Sequence, residues 1–290
     1  MRVTLMNQYD YTTVKLPSWH EFKLYVQQFS ENWAFRGQGN AQWVLNNAIE
    51  RTDFVHFDRG IEAGFVAEFQ RGARNYLSKD EIPEHLIEWL ALMQHHGAPT
   101  RLLDFSKSPF IAAYFAFEFC YVWEDLNVAV WCINIEHLKQ KALEVLTEEF
   151  GSALKESENL INEKLFEILF YQNNKNLVFP VEPFRMNRRY SLQQSLFVST
   201  GTSLTPFMEQ LLFLGDDLAK AVVRIEIPST EKKLALRELL KMNLHRASLF
   251  PDLDGYALSL KFRYNNMKSP GELEEELAKK QKDSRYPFHP

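Results

Sequence analysis

Val128-Ala129-Val130-Trp131-Cys132-Ile133-Asn134-Ile135 is apolar on both parities, so neither face of this strand can look at water. A strand of that kind belongs in the middle of a sheet covered on both sides. Upstream, Phe110 to Phe119 is apolar nearly all round, which marks a buried helix. Ser106 and Ser108 stand ahead of it as alternative N-caps, and Pro109 is tolerated in its first turn. Downstream, Val223, Ile225 and Ile227 alternate with Arg224 and Glu226, as in a half-exposed strand of the same sheet system. A buried helix against a buried strand predicts an α/β (α+β) fold of short, mainly antiparallel strands with surrounding helices.

Trp33-Ala34-Phe35-Arg36 reads as a strand that runs into the turn Gly37-Gln38-Gly39-Asn40 and delivers Arg36 to its end. From Ile61 the apolar residues Phe65, Phe69, Ala73 and Leu77 recur every four positions, predicting an amphipathic helix flanked by Glu68, Arg71 and Arg74. A second helix is expected from Pro83 to His96, with Gly97 stopping it in the left-handed conformation. Glu136 to Phe170 is helical and charge-rich and reads as an insertion or helical subdomain. The last twenty residues, from Gly271, are charged and predict a solvated helix fraying into a tail.

Composition bounds the class. The 290 residues are 46% apolar and 24% charged, ordinary for a folded chain, and 23 Phe predict a heavily aromatic core. Lys+Arg of 33 against Asp+Glu of 38 leaves a net charge of -5, so no global field draws in polyanions and a general nucleic-acid binder is disfavoured. Arg185, Arg188 and Arg189 form either a local basic patch or a solvated turn. Cys120 and Cys132 lack a CxxC spacing and read as buried thiols of a reducing compartment. No apolar run is long enough to span a bilayer or serve as a signal peptide, so a cytoplasmic protein without membrane contact is expected.

Several polar residues interrupt these patterns. Arg36, on an aromatic strand, must either pair with a protein carboxylate, Glu68 being a candidate, or face an anionic ligand whose diphosphate it would hold bidentately. Gly37 and Gly39 would let backbone approach a phosphate, or simply make a turn. Arg101 and Asp104 bracket two leucines and are expected either to pair as a buried bridge or to leave Asp104 free for chemistry. His96 is a proton carrier or a favourable partner of the helix dipole. Tyr114 and Phe115 are assigned to the core. Adjacent histidines do not share a helix face and no HExxH occurs, so no metal site is expected. Neither Ser106 nor Ser108 lies in a G-x-S-x-G elbow, which disfavours a serine hydrolase.

Phe35-Arg36-Gly37-Gln38, Trp43, Arg51 and the run His95-His96-Gly97-Ala98-Pro99-Thr100-Arg101-Leu102-Leu103-Asp104-Phe105-Ser106 together resemble the FRG domain family, named for its first motif. Ser108-Pro109, Ala112 to Ala116, Asn187-Arg188, Gln193 to Phe197 and Leu249 to Gly255 extend the likeness over about Asn32 to Tyr256. Ser195 stands where such proteins often have Gly, a departure expected to reshape the turn after Gln194. The resemblance implies a lead-in over residues 1–30, an FRG domain over 31–260 with the helical insertion at about 136–170, and a charged tail over 261–290. FRG proteins occur in bacteria and phages, so a toxin or effector of phage defence is implied.

The order of an aromatic-Arg-Gly strand, a Ser-bearing segment leading into a helix and a later strand with Glu or Gln also resembles the layout of ADP-ribosyltransferases. Those enzymes bind NAD in a cleft between two small antiparallel sheets. The likeness puts Arg36 at the first position, Ser106 or Ser108 at the second and Gln194 at the third, where such enzymes often carry Glu. An amide cannot serve as a carboxylate base, so Gln194 departs from the pattern. What is implied is an NAD-utilising transferase or NAD hydrolase with Arg36, His96, Ser106 and Gln194 catalytic. Arg36, Gly37, Gln38, Thr100, Arg101 and Asp104 would hold NAD, and the target would be protein or nucleic acid. A nucleotide- or protein-binding module without catalysis is the alternative, and a metal-free nuclease or phosphodiesterase is a third, favoured if His96 and Asp104 lie together.

Overall fold

A computed structural model describes residues 4–5, 9–52, 60–118, 120–122, 126–150, 163–183 and 188–267. In chain order the elements are β1 Thr4–Leu5, β2 Thr12–Lys15, α1 Trp19–Tyr25, β3 Trp33–Gln38, α2 Ile61–Ala73, α3 Leu86–His95, β4 Leu102–Ser106, α4 Pro109–Glu118 and β5 Asn127–Asn134. There follow α5 Ile135–Phe150, α6 Glu163–Gln172, β6 Val178–Val181, α7 Arg188–Leu192, β7 Ser195–Thr200, α8 Phe207–Gln210, α9 Leu218–Ala221 and β8 Val222–Pro228. Helices α10 Lys232–Lys241, α11 Arg246–Leu249 and α12 Leu253–Met267 close the described chain.

The strands form one mixed sheet in the order β1-β2-β8-β5-β3-β4-β7-β6. Among the described residues only β2 and β8 run parallel, and every other neighbouring pair is antiparallel. The doubly apolar β5 lies inside the sheet between β8 and β3, as its sequence requires. Its two parities enter different cores: Val128, Val130 and Cys132 on one face, Ala129, Trp131 and Ile133 on the other.

Three apolar cores result among the described residues. One face of the sheet carries a core shared by both halves, with Ala34, Leu103, Phe105, Trp131 and Val198 meeting Phe207 and Met208 of α8. The opposite face carries two. Over β2, β8, β5 and β3 lie α1, α4 and α10, through Trp19, Phe22, Phe117 and Leu239. Over β4, β7 and β6 lie α2, α3, α5 and α6, through Val66, Leu90, Leu146, Phe166 and Phe197. Helix α4 is apolar all round because strands flank it on one side and α10 on the other. A Cβ at Gly37 would lie 1.9 Å from the Ala112 carbonyl oxygen and 2.6 Å from the Ala116 nitrogen, so only glycine lets α4 lie this close to β3.

The joint between the two halves is the thinnest place in the sheet. Strands β3 and β4 are paired only at Phe35 and Ser106, whereas β3 and β5 are paired from Trp33 to Gln38. The two separate sheets suggested by the ADP-ribosyltransferase likeness are therefore one sheet, narrowed at that point. The described residues of the charge-rich stretch expected as an insertion form α5 and α6, whose apolar faces complete the third core. Residues before 31 supply β2 at the sheet and Trp19 and Phe22 to the core. The tail from Gly271 lies outside the described residues. Both cysteines are buried and free, with burial pushing each thiol's pKa up. Among the described residues no helix is long and apolar enough to cross a membrane.

Candidate functional site

The candidate site follows from the failure of pairing between β3 and β4. Continuing the register beyond Phe35 and Ser106 would set Gly37 opposite Asp104, yet no pair forms there. Instead an Arg36 guanidinium NH1 donates to the Asp104 carbonyl oxygen at 2.8 Å and spans the gap with a side chain. The Arg36 Nε is buried and has no hydrogen-bond partner among the described residues. An unpartnered guanidinium donor is costly, and burial pulls the Arg36 pKa down, against the pull of Asp104 and with that of Arg51. Glu68, one candidate to neutralise it, is exposed on α2 and is not its partner.

Two cavities meet at Arg36. The smaller, about 210 Å³, is lined by Arg36, Asp104, Ser106, Arg189, Gln193 and Ser195 together with Phe115. It opens on the face where the two unshared cores leave room: Leu103 and Phe105 of β4 enter the shared core, so Asp104 and Ser106 have the opposite parity. The larger, about 660 Å³, shares Arg36, Gly37 and Phe115 and adds Gln42, Trp43, Asn46 and Arg51.

Each polar wall of the smaller cavity is held from behind. Gln94 Nε2 donates to Asp104 Oδ2 at 2.7 Å, and the hydroxyl of buried Thr100 donates to Gln94 Oε1, so α3 aims the carboxylate. Ser106 Oγ donates to the Gln193 carbonyl at 2.8 Å and accepts from the Ser108 N–H at 3.1 Å. Ser108 Oγ in turn accepts from the Ile111 N–H at 3.4 Å, the capping expected of this serine pair. Gln193 Nε2 donates to the Leu249 carbonyl at 3.0 Å. The Arg189 guanidinium lies over the Phe250 ring, 4.4 Å from its centroid. Tyr190 sits nearby, its pKa raised by burial and then by the Asp104 charge, with its hydroxyl donating to Ala91 O at 2.6 Å.

Arg36, Gly37, Asp104 and Ser106 thus share a cleft, whereas other residues singled out in the sequence do not join them. Gln194 is exposed in a turn at φ 47, and its neighbours Gln193 and Ser195 line the cavity in its place. The reshaped turn expected at Ser195 is taken up by Gln194 itself. His96 is exposed at the end of α3 and borders a different cavity with His95, apart from Asp104. Gln38 is held in the fold, accepting from Trp131 Nε1 at 2.7 Å and donating to Val44 O at 3.1 Å, and borders the larger cavity with Arg36 rather than the smaller one. Thr100 is buried.

Arg101 and Asp104 do not form the expected bridge. Arg101 is buried with Glu62, at 2.7 Å, and cannot reach a ligand without breaking that pair. Phe115, assigned to the core, is only half-buried and borders both cavities. Of the three clustered arginines, Arg188 is exposed, Arg189 faces the cavity and Arg185 lies outside the described residues. Gln94 and Gln193 were not among the sequence candidates. Only the register of β4 against β7, which sets Ser106 opposite Ser195, brings Gln193 to the cleft.

Residues 31–120 match the family model described as FRG domain. The chain carries an FRG domain. The matched span runs from β3 to the end of α4, so Arg36, Asp104, Ser106 and Phe115 belong to it while Arg189, Gln193 and Ser195 come from later in the chain. The glycine of the Phe35-Arg36-Gly37 motif serves the packing of α4 on β3, and its arginine serves the gap beside it. No curated protein and no solved structure matches the chain.

Proposed function

We propose that the cleft at the β3/β4 joint binds an NAD-type dinucleotide and that the chain opens its glycosidic bond. The observation that carries this is Arg36: a guanidinium with an unpartnered Nε, set where two cavities meet. A diphosphate bridging the two would satisfy that donor, and a two-part ligand suits a two-part groove. Asp104, clamped by Gln94, is the sole carboxylate in the wall of the smaller cavity among the described residues. It takes the part for which Gln194 was the sequence candidate.

In this mechanism Arg36 and Arg189 hold the phosphates while Asp104 faces the ribose of the nicotinamide half. The C1′–N bond breaks and nicotinamide leaves with the bonding electron pair, which neutralises its ring. Water, or a nucleophile of a protein or nucleic-acid target, forms the new bond to C1′ and gives its proton to Asp104. Orientation and the fixed negative charge beside the cationic sugar would supply most of the acceleration. A toxin or effector role would follow from loss of cellular NAD.

A binding module without turnover is the second reading, favoured by the exposure of Gln194. The nuclease reading would be favoured by His96 beside Asp104, and the two line different cavities. Calorimetry with NAD and a nicotinamide-release assay separate the first two. Arg36→Ala should weaken binding by roughly 10- to 100-fold, with a melting curve recorded beside it because Arg36 also bridges the sheet. Asp104→Asn should keep binding and lose release. Binding with no release under any condition would leave the module, and no binding of NAD at all would overturn the enzyme and leave a module for another ligand.

A further inference from the structure

Trp43 is 57% exposed, on a loop whose backbone is tied down on both sides. Its own N–H donates to Asn40 O at 3.2 Å, Asn40 Oδ1 accepts from the Gln42 N–H at 2.8 Å, and Gln38 Nε2 holds Val44 O. Ala41 and Leu45, on either side, are sunk in the shared core. An exposed indole on a loop pinned through its backbone is apolar area left available, at the wall of a cavity of about 660 Å³. The described wall of that cavity contains Arg36 and Arg51 and no carboxylate. Arg51 NH1 is turned onto Asn46, at 2.9 Å from its carbonyl and 3.3 Å from its side-chain oxygen. A guanidinium has five N–H donors, so the two contacts to Asn46 leave Arg51 others for a ligand.

We infer that Trp43 is the stacking platform for the base at the non-reacting end of the dinucleotide, with Arg51 joining Arg36 and Arg189 on the phosphates between the two cavities. This rests on the cleft being a nucleotide site, and it fixes which way round the ligand lies. The base-bearing end enters the larger cavity over Trp43. The reacting end enters the smaller one, beside Asp104. Stacking tolerates any base, so the amides of Gln42 and Asn46 are the groups left to read its edge.

The test titrates the full chain and its Trp43→Ala variant with ADP-ribose and with nicotinamide mononucleotide, which has the reacting end and lacks the base. Trp43→Ala should weaken ADP-ribose by roughly 5- to 100-fold, the range for one lost base stack, and leave nicotinamide mononucleotide unchanged. Trp43→Phe should restore most of the loss. Equal affinity of Trp43→Ala and the native chain for ADP-ribose would overturn the inference, as would an equal loss for both ligands. If NAD binding depends on Arg36 but not on Trp43, the dinucleotide site stands and the orientation falls. A single-stranded oligonucleotide held through Trp43, with no binding of NAD or ADP-ribose, would overturn both in favour of nucleic acid.

Discussion

Glu62 and Arg101 grip each other twice inside the protein: Glu62 Oε1 accepts from the Arg101 backbone N–H at 2.8 Å and Oε2 from its Nε at 2.7 Å. The remaining guanidinium donors reach Asn173 Oδ1 at 3.2 Å and Thr200 O at 3.4 Å, and the Phe170 ring covers the group at 4.4 Å. This ties α2, which precedes the site, to the base of β4, which carries it. Removing one partner strands the other charge in the core, so Glu62→Gln or Arg101→Met alone should each destabilise by about 3 to 5 kcal/mol. The double change should recover much of that loss, because no charge is left behind. Urea unfolding of the three variants checks this, and a double variant no better than the singles would contradict it.

Gly37 and Gly39 should respond differently to the same substitution. A Cβ at Gly37 meets the α4 backbone at 1.9 Å, and backbone cannot rotate away as a side chain can. A Cβ at Gly39 meets Cys120 at 3.5 Å, an ordinary contact. Gly37→Ala should therefore cost on the order of 3 kcal/mol or more, as overpacking of a close interface does, while Gly39→Ala leaves the melting temperature within a degree or two of native. The comparison also separates packing from ligand approach as the reason for the motif glycine.

How legible these features are in the sequence depends on whether they are local. Strand β5 and helix α4 are apolar on all sides, and Gly97 is left-handed at φ 82 where a helix stop was expected. Those features need only neighbours along the chain. The expected Arg101–Asp104 pair fails for a reason also present in the sequence: residues three apart near a strand point to opposite faces, so they cannot meet. Gln193 and Gln194 could not be sorted that way. Which of two adjacent amides faces the cleft is set by the β4/β7 register and by the turn at Gln194, both long-range facts. Glu62 is likewise invisible as a partner, 39 residues from Arg101.

Phe115 and Phe117, two residues apart on α4, divide the helix between site and core. Phe117 is wholly buried against Trp19. Phe115 is half-buried, edges Phe250 at 6.0 Å between ring centroids, and walls both cavities. Phe117→Asp should unfold the chain, since an unpaired charge in that core costs several kcal/mol against a total stability of about 5 to 15. Phe115→Ala should keep the cooperative melt, lowered by no more than about 1 to 2 kcal/mol, and change ligand affinity instead. A Phe115→Ala protein that fails to fold would return this residue to the core.

Glu50 gives the fold a dependence on pH with a definite sign. Burial raises its pKa from near 4.5 to about 7, against the Phe207 N–H that donates to its Oε1 at 2.7 Å and the nearby Arg51 charge. The folded protein thus holds this proton more tightly than the unfolded chain does. Its contribution to stability is whole below pH 4.5 and is lost as pH rises through about 7. A shift of that size corresponds to on the order of 3 kcal/mol. Glu50→Gln carries a neutral group at every pH and keeps an acceptor for the Phe207 N–H. The native chain should therefore lose stability relative to Glu50→Gln between pH 5 and pH 8, in denaturant titrations run at both ends. The difference belongs to Glu50 because every other group titrates alike in the two proteins. Parallel pH profiles would show that Glu50 stays ionised in the fold, with the Phe207 N–H and Arg51 outweighing the cost of its burial.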